Sequence, residues 1–127
     1  MYELTVDKHF SAAHSLKGYN GECSQLHGHT WKVSVTVESD FTDDTGISVD
    51  FKEISEILEK IIKRFDHRNL SDIDEFSECN PTAENIAKMV FDFCEKEFSG
   101  NEVTVASVTV AESERYRVTY RKTISKP

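Results

Sequence analysis

The sequence predicts an α+β fold in the order β-β-α-α-β-β, with four antiparallel strands and two helices on one face of the sheet. Both ends of the chain alternate apolar and polar residues with a period of two, which is typical of half-buried strands. The middle of the chain carries two apolar stripes at helical spacing. The length of 127 residues suits one compact domain spanning 1–127.

The first two strands are predicted over about 2 to 14 and about 28 to 39. In the first, most apolar side chains lie at even positions, and His14 continues that set. In the second, the alternation runs through Trp31, Val33, Val35 and Val37. If the two strands pair as an antiparallel hairpin, the end of the first lies beside the start of the second.

The first helix is predicted to begin at Asp50 and to end near Phe65. Asp50 is the expected N-cap, and Glu53 is expected to reach back to it as in a capping box. Six apolar residues then fall on one helical face and are expected to be core: Ile54, Ile57, Leu58, Ile61, Ile62 and Phe65.

The second helix is predicted to begin at Asn80-Pro81-Thr82, with the proline in its usual early position. Gly100 lies near the position after the helix end where glycine is favoured. The expected apolar stripe contains Ile86, Met89, Val90, Phe93 and Cys94 and extends to Phe98.

Two further strands are expected after the second helix. Valines from Val103 to Val110 alternate, with a phase break at Ala106-Ser107 that suggests a β-bulge. Tyr116, Val118 and Tyr120 predict the fourth strand.

Three histidines form a candidate zinc site. His27 and His29 lie two residues apart on a predicted strand, so both imidazoles point to the same face. Neutral imidazole is a common zinc ligand, and catalytic zinc takes three protein ligands plus an open position. A His-x-His pair alone is a weak signal, but His14 at the neighbouring strand end offers the third ligand and favours a metal site.

Cys23 precedes His27 by four residues, and three roles are open to it. It could be a base beside the metal, because a nearby dication favours the thiolate. It could be a fourth ligand, which would close the site and make it structural. It could also be an incidental thiol.

Asp66, His67 and Glu112 are candidate catalytic residues, each with a structural alternative. His67 could simply be favoured by the helix dipole near a C-terminus, or Asp66 could orient its ring for proton transfer. Glu112 continues the phase of Val108 and Val110 towards an apolar surface. It could form a rim salt bridge with an arginine nearby, or it could recognise a heterocycle that carries paired N–H donors.

Composition excludes several classes of protein. The net charge of −8 argues against direct nucleic-acid binding. No apolar run approaches the roughly 20 residues of a membrane span, and the N-terminus shows no secretory signature. The three cysteines form no Cys-x-x-Cys motif, so we expect a reducing, cytoplasmic location.

Several motifs together resemble the family of 6-pyruvoyl-tetrahydropterin and 6-carboxytetrahydropterin synthases. They occur in the family's order across nearly the whole chain: Phe10-Ser-Ala-Ala-His14, Cys23-x-x-x-His27-Gly-His29, Gly46-Ile-Ser-Val-Asp50-Phe51, Phe65-Asp66-His67-Arg-Asn-Leu70, Asn80-Pro-Thr-Ala-Glu84 and Val110-Ala-Glu112. The three residues between Cys23 and His27 resemble the carboxytetrahydropterin branch.

The resemblance implies the tunnelling fold (T-fold), in which protomers form trimeric barrels that stack into hexamers with active sites at subunit interfaces. It implies a zinc-dependent lyase that converts 7,8-dihydroneopterin triphosphate to 6-carboxy-5,6,7,8-tetrahydropterin, acetaldehyde and triphosphate, on the route to queuosine- and archaeosine-type tRNA nucleosides. The partners are then a small-molecule pterin and further copies of the chain.

The resemblance also implies a role for each candidate residue. His14, His27 and His29 would hold Zn²⁺, Cys23 would act as a base, and Asp66 with His67 would move protons from the other side. Glu112 would anchor the pterin. A 6-pyruvoyl-tetrahydropterin synthase is the alternative within the family, whereas a three-histidine zinc hydrolase and a non-catalytic module with a structural metal are alternatives outside it.

Overall fold

The computed structural model describes residues 1–18, 21, 24–100 and 102–122. Five strands form one sheet in the order β3-β1-β2-β4-β5, and two helices pack on one of its faces. The elements are β1 (Tyr2–His14), β2 (His27–Ser39), α1 (Phe51–Phe65), β3 (Arg68–Asn69), α2 (Ala83–Glu97), β4 (Thr104–Ala111) and β5 (Arg117–Tyr120).

The α+β architecture is confirmed, but the expected set of four antiparallel strands is incomplete. The structure adds β3, which pairs in parallel with β1, so that Ala12 lies opposite Arg68 and Ala13 opposite Asn69. A strand of two residues has no periodicity, and its only support is a partner far away in the chain. The sequence pattern could therefore not reveal it.

The two faces of the sheet differ sharply in polarity. On the face covered by the helices, Phe10, Trp31 and Val33 are almost completely buried. On the opposite face, the Thr5 and Thr36 hydroxyl groups lie 2.7 Å apart, and Lys32 Nζ lies 3.4 Å from an Asp7 carboxylate oxygen. The apolar residues therefore form a single core between the sheet and the two helices.

Helix α1 has the predicted boundaries and the predicted buried stripe. Its six expected core residues are all buried. The Asp50 carboxylate accepts a hydrogen bond from Lys52 N, as expected of an N-cap. The reciprocal half of the capping box is not formed: within the described residues Glu53 N donates to Asp50 O at 3.0 Å, but the Glu53 side chain accepts no hydrogen bond from Asp50 N.

Helix α2 is rotated relative to the predicted stripe. Thr82 is its N-cap and accepts a hydrogen bond from Asn85 N at 3.1 Å. Ala87 and Phe91 are buried, whereas Met89 and Phe93 are only partly buried. Ala87 and Phe91 lie beside the predicted stripe, on the side of α2 that faces β4 and β5. Only the tertiary structure shows which side of the stripe is buried.

The predicted β-bulge is present in β4. Thr36 pairs with Ser107 and Val37 with Val105, so Ala106 is the extra residue. Among the described residues, no helix combines the length and the apolarity that a membrane crossing requires.

We predict that Leu58→Ala lowers the free energy of unfolding by about 2–5 kcal/mol, because the side chain is fully buried and its removal leaves a cavity. Lys63→Ala on the exposed side of the same helix is the matched control and should change it by less than about 0.5 kcal/mol. Urea denaturation measures both. Equal losses in the two variants would contradict the assigned core face of α1.

Candidate metal centre and adjacent cavity

The antiparallel pairing of β1 and β2 brings the three histidines together. His14 lies directly opposite His27, and His29 lies opposite Ala12. One ring nitrogen from each histidine can be chosen so that all three atoms lie within 4.8 Å of one another. His14 is almost completely buried, and the other two are partly buried. The three side chains therefore form a group that could hold a metal ion.

Backbone carbonyls fix the protonation of two of these rings. His14 Nδ1 lies 2.7 Å from Pro81 O, and His27 Nδ1 lies 2.7 Å from Gln25 O. A carbonyl oxygen can only accept, so each Nδ1 carries the proton and donates. In the neutral form of each ring, Nε2 then has a free lone pair, which is the metal-binding form of imidazole, and the other nitrogen is anchored in the way usual for metal ligands.

The two Nε2 atoms face each other at 3.0 Å. With both rings protonated on Nδ1, this contact joins two lone pairs, which repel unless a proton or a cation lies between them. Zn–N distances of about 2.0–2.1 Å in a tetrahedral site place neighbouring nitrogens roughly 3.4 Å apart. The observed separation of His14 and His27 is thus close to what a shared metal ion requires.

His29 supplies the third nitrogen. Its Nε2 is buried and has no hydrogen-bond partner within the described residues, and a buried polar atom without a partner is unfavourable. Desolvation is the main cause that lowers the pKa of His29 and of His14, in spite of the opposing effect of the Glu112 carboxylate. Both rings therefore stay neutral at physiological pH and remain available as ligands.

Glu112 lies beside this group, directly after β4. Its carboxylate is 3.8 Å from His29 Nε2, and its backbone N donates to Tyr116 O at 3.1 Å. In the described part of the chain it forms no ion pair with Arg115 or Arg117, so the rim salt bridge considered above is not observed.

The Glu112 side chain lines a cavity of about 380 Å³. The other lining residues are Ala83, Glu84, Arg115, Tyr116, Arg117 and Val118. A carboxylate on the wall of a cavity next to a potential metal group is well placed to bind a ligand that donates hydrogen bonds.

Asp66 and His67 follow α1 and lie against β1. Asp66 Oδ1 accepts a hydrogen bond from Ser11 N at 2.9 Å, and this bond is the main cause that lowers the pKa of Asp66. The same oxygen lies 3.0 Å from His67 Nδ1. His67 itself has a positive φ of 58°, which is uncommon for a residue other than glycine.

The His67 side chain is 83% exposed. Asp66 thus contacts Nδ1 of the His67 ring and leaves Nε2 free of this contact. This is the arrangement expected if the carboxylate orients the ring for proton transfer.

Among the described residues, His67 and Glu112 lie on different sides of the sheet. His67 precedes β3 at one side of the sheet, whereas Glu112 follows β4, and β1 and β2 lie between them. Three interstrand spacings correspond to roughly 14 Å. Within the described residues, no hydrogen bond or ion pair joins His67 to the three histidines. Cys23 lies outside the described residues.

Two contributors to the centre were not predicted from the sequence. The carbonyl groups of Pro81 and Gln25 orient His14 and His27, but a backbone carbonyl has no signature in a sequence. Cys94 is buried as expected, and burial raises the pKa of its thiol to about 12, so it has no place in this chemistry.

Comparison with known proteins identifies one family. The family model described as 6-pyruvoyl tetrahydropterin synthase matches residues 3–123. The 6-carboxy-5,6,7,8-tetrahydropterin synthase of Bacillus subtilis is 39% identical over 97 residues, a match that covers 72% of this chain but only 64% of that protein. The dihydroneopterin monophosphate aldolase of Pyrococcus furiosus is 36% identical over 92 residues, which cover 72% of this chain and 74% of that one.

The solved structure of the Caenorhabditis elegans 6-pyruvoyl tetrahydropterin synthase is similar over 97% of this chain and 98% of that chain, with a TM-score of 0.82 and 25% sequence identity. The similarity thus extends over the strands, both helices and the segments that carry the three histidines, Asp66, His67 and Glu112.

We predict that His27→Ala abolishes tight binding of one zinc ion per chain, because two nitrogen ligands cannot replace three. Metal analysis after extensive dialysis measures the zinc content. His9→Ala is the control. His9 is exposed on β1, where it lies opposite Lys32 and away from the three clustered histidines. Retention of one zinc per chain in His27→Ala would exclude His27 from the ligand set.

Proposed function

Because the chain belongs to the 6-pyruvoyl tetrahydropterin synthase family, we propose that it is a zinc-dependent lyase that converts 7,8-dihydroneopterin triphosphate to 6-carboxy-5,6,7,8-tetrahydropterin, acetaldehyde and triphosphate. The observation that carries this proposal is the convergence of the His14 and His27 lone pairs at 3.0 Å beside the unpartnered His29 nitrogen. Such a group favours a divalent cation with an open position for substrate.

The proposed chemistry assigns a task to each candidate residue. His14, His27 and His29 hold the metal ion, which when bound supplies Lewis-acid stabilisation of negative charge on the substrate side chain. Glu112 accepts hydrogen bonds from N–H groups of the pterin ring. Cys23 removes a proton from the substrate side chain, and His67, held by Asp66, transfers protons from the other side.

The choice of the carboxytetrahydropterin branch has two supports. Three residues separate Cys23 from His27, as in that branch, and the Bacillus subtilis relative carries the name of that synthase. The product would then feed the synthesis of deazapurine-modified tRNA nucleosides. The alternative is a 6-pyruvoyl tetrahydropterin synthase. Its support is the structural similarity to the enzyme of that name from Caenorhabditis elegans.

The product of the reaction distinguishes these functions. Incubation with 7,8-dihydroneopterin triphosphate, followed by mass analysis, should show 6-carboxytetrahydropterin and an equal amount of acetaldehyde. A product that retains the three-carbon side chain would instead establish the pyruvoyl branch. Aldol cleavage of dihydroneopterin monophosphate in preference to the triphosphate would indicate the activity named for the Pyrococcus furiosus relative.

We predict that Cys23→Ala keeps its zinc but lowers turnover by about two to four orders of magnitude, the usual contribution of a positioned acid or base. Turnover and metal content are measured on the same preparation. Cys79→Ser, which replaces an exposed thiol, is the control and should have wild-type turnover. Full activity of Cys23→Ala would remove the thiol from the mechanism.

A complete site is proposed to form between two copies of the chain in a homo-oligomer, a trimer or hexamer. The support is the separation of β3 and β4 within one chain, which is three interstrand spacings or roughly 14 Å. His67 lies directly before β3, and Glu112 lies directly after β4. A substrate held by Glu112 in one copy would then meet His67 of another copy.

Mixing two inactive variants tests the shared site. His27→Ala lacks the metal group and His67→Ala lacks the proton-transfer ring, so co-refolded mixtures should recover a substantial fraction of wild-type turnover, because some interfaces contain neither change. Each variant refolded alone is the control. If mixtures remain as inactive as the single variants, all catalytic residues act within one chain.

A further inference from the structure

The carbonyl group that holds His14 belongs to a turn of three residues, Asn80, Pro81 and Thr82, which lies directly before α2. Pro81 is buried, and its ring restricts the backbone φ. Pro81 O lies 2.7 Å from His14 Nδ1. The direction of this one carbonyl group therefore sets the orientation of the His14 ring.

One peptide plane connects Pro81 O to Asn80. The carbonyl group of Pro81 and the N–H group of Thr82 belong to the same planar peptide, in which they point in opposite directions. Thr82 N donates a hydrogen bond to Asn80 O at 2.9 Å. As long as this N–H group points to Asn80 O, Pro81 O points the other way, towards His14.

The Asn85 side chain holds the other end of this contact. Asn85 Nδ2 donates to Asn80 O at 2.8 Å. A carbonyl oxygen can only accept, so the amide must present its nitrogen and not its oxygen. Asn80 O thus has two donors, and one of them is a side chain in the first turn of α2.

The turn is also bonded to the chain that follows His14. Lys17 N donates to Asn80 Oδ1 at 3.0 Å, and Asn80 Nδ2 donates to Lys17 O at 2.8 Å. The Asn80 side chain therefore faces β1, while its backbone carbonyl faces α2. Helix and strand together hold the peptide that points at His14.

Helix capping does not account for the Asn85 side chain. The N-cap bond of α2 runs from Asn85 N to Thr82 Oγ1 at 3.1 Å, and any residue other than proline would supply that backbone N–H group. Glutamate or glutamine at this position would complete a capping box, and both have a higher helix propensity than asparagine. The Asn85 amide instead bonds a carbonyl group that lies outside the helix.

We propose that Asn85 is a positioning residue of the metal group. Its side chain holds the turn so that Pro81 O orients the His14 ring, with Nε2 directed to His27. The inference rests on the zinc centre of the proposed function but not on the reaction. Asn85 acts through Pro81 and needs no contact with the metal ion or the substrate.

Zinc affinity measures this role, with zinc alone as the probe and a fluorescent chelator as the competitor. Asn85→Ala should weaken zinc binding about 10-fold, the lower end of the effect of losing a group that orients a metal ligand. It should still bind one zinc per chain at saturation, because the three histidines remain. Asn85→Asp retains the shape and favours the helix as an acidic residue in its first turn, but it cannot donate to Asn80 O. It should also bind zinc more weakly.

Two variants control for general effects on the fold. Lys88→Ala shortens an exposed side chain of the same helix that is paired with Asp92, and Asp50→Ala removes the N-cap of α1. Both should bind zinc as tightly as wild type. If Asp50→Ala weakens zinc binding as much as Asn85→Ala does, the effect is one of stability and the proposal is wrong. Wild-type affinity in both Asn85 variants also overturns it.

The metal-free protein gives a second readout. The His14 Nδ1 proton is bonded to Pro81 O in a buried position, so its exchange with solvent, followed by NMR, should be slow in wild type and in Lys88→Ala. In Asn85→Ala it should be at least several-fold faster, because the carbonyl group is no longer held in place. Equal exchange rates in the three proteins would contradict the proposed role.

Neither measurement uses a pterin, so this inference and the proposed reaction can fail separately. Weakened zinc binding in Asn85→Ala supports the positioning role even if the protein forms no pterin product. Confirmed lyase activity with unchanged zinc affinity and unchanged proton exchange in Asn85→Ala overturns the positioning role alone. A wild-type protein that binds no zinc overturns both proposals.

Discussion

The register between β1 and β2 is the constraint on which the rest of the structure depends. Phe10 lies opposite Trp31 in the core, and the same register places His14 opposite His27. Because side chains alternate between the faces of a sheet, a slip of one residue would move every one of these side chains to the other face. The burial of the aromatic pair therefore also holds the three imidazoles in place, and stability and chemistry share one cause.

The core also determines the electrostatic character of the centre. Trp31 packs edge-on against His14 and His29, with ring centroids 4.9 Å and 5.2 Å away, and its Nε1 donates to Ala12 O. The Trp31 ring excludes water from one side of His14 and His29. This desolvation lowers the pKa of both histidines. The three histidines lie where the core ends, so His14 is almost completely buried, whereas the His29 side chain keeps 24% of its surface exposed.

The segment between α1 and α2 has a different role. It contains little regular structure, yet it supplies Asp66 and His67, the short strand β3, Ser71 and Asn80 along one edge of β1. Loops often carry function because a rigid scaffold positions them. Here Ser71 and Asn80 of this segment also bond the backbone that follows β1. Pro81 O, at the end of the segment, is hydrogen-bonded to His14.

The sequence by itself determined the four antiparallel strands, the first helix and its buried face, the bulge and the identity of the three histidines, because each depends on local periodicity or on residue chemistry. Only the tertiary structure decided the rotation of α2, the pairing of β3, the carbonyls that orient His14 and His27, and the hydrogen bonds between Asn80 and Lys17. These features arise from contacts between residues distant in the chain, and many of their partners are backbone atoms that every residue possesses. A pattern of side chains cannot encode which backbone group will lie nearby.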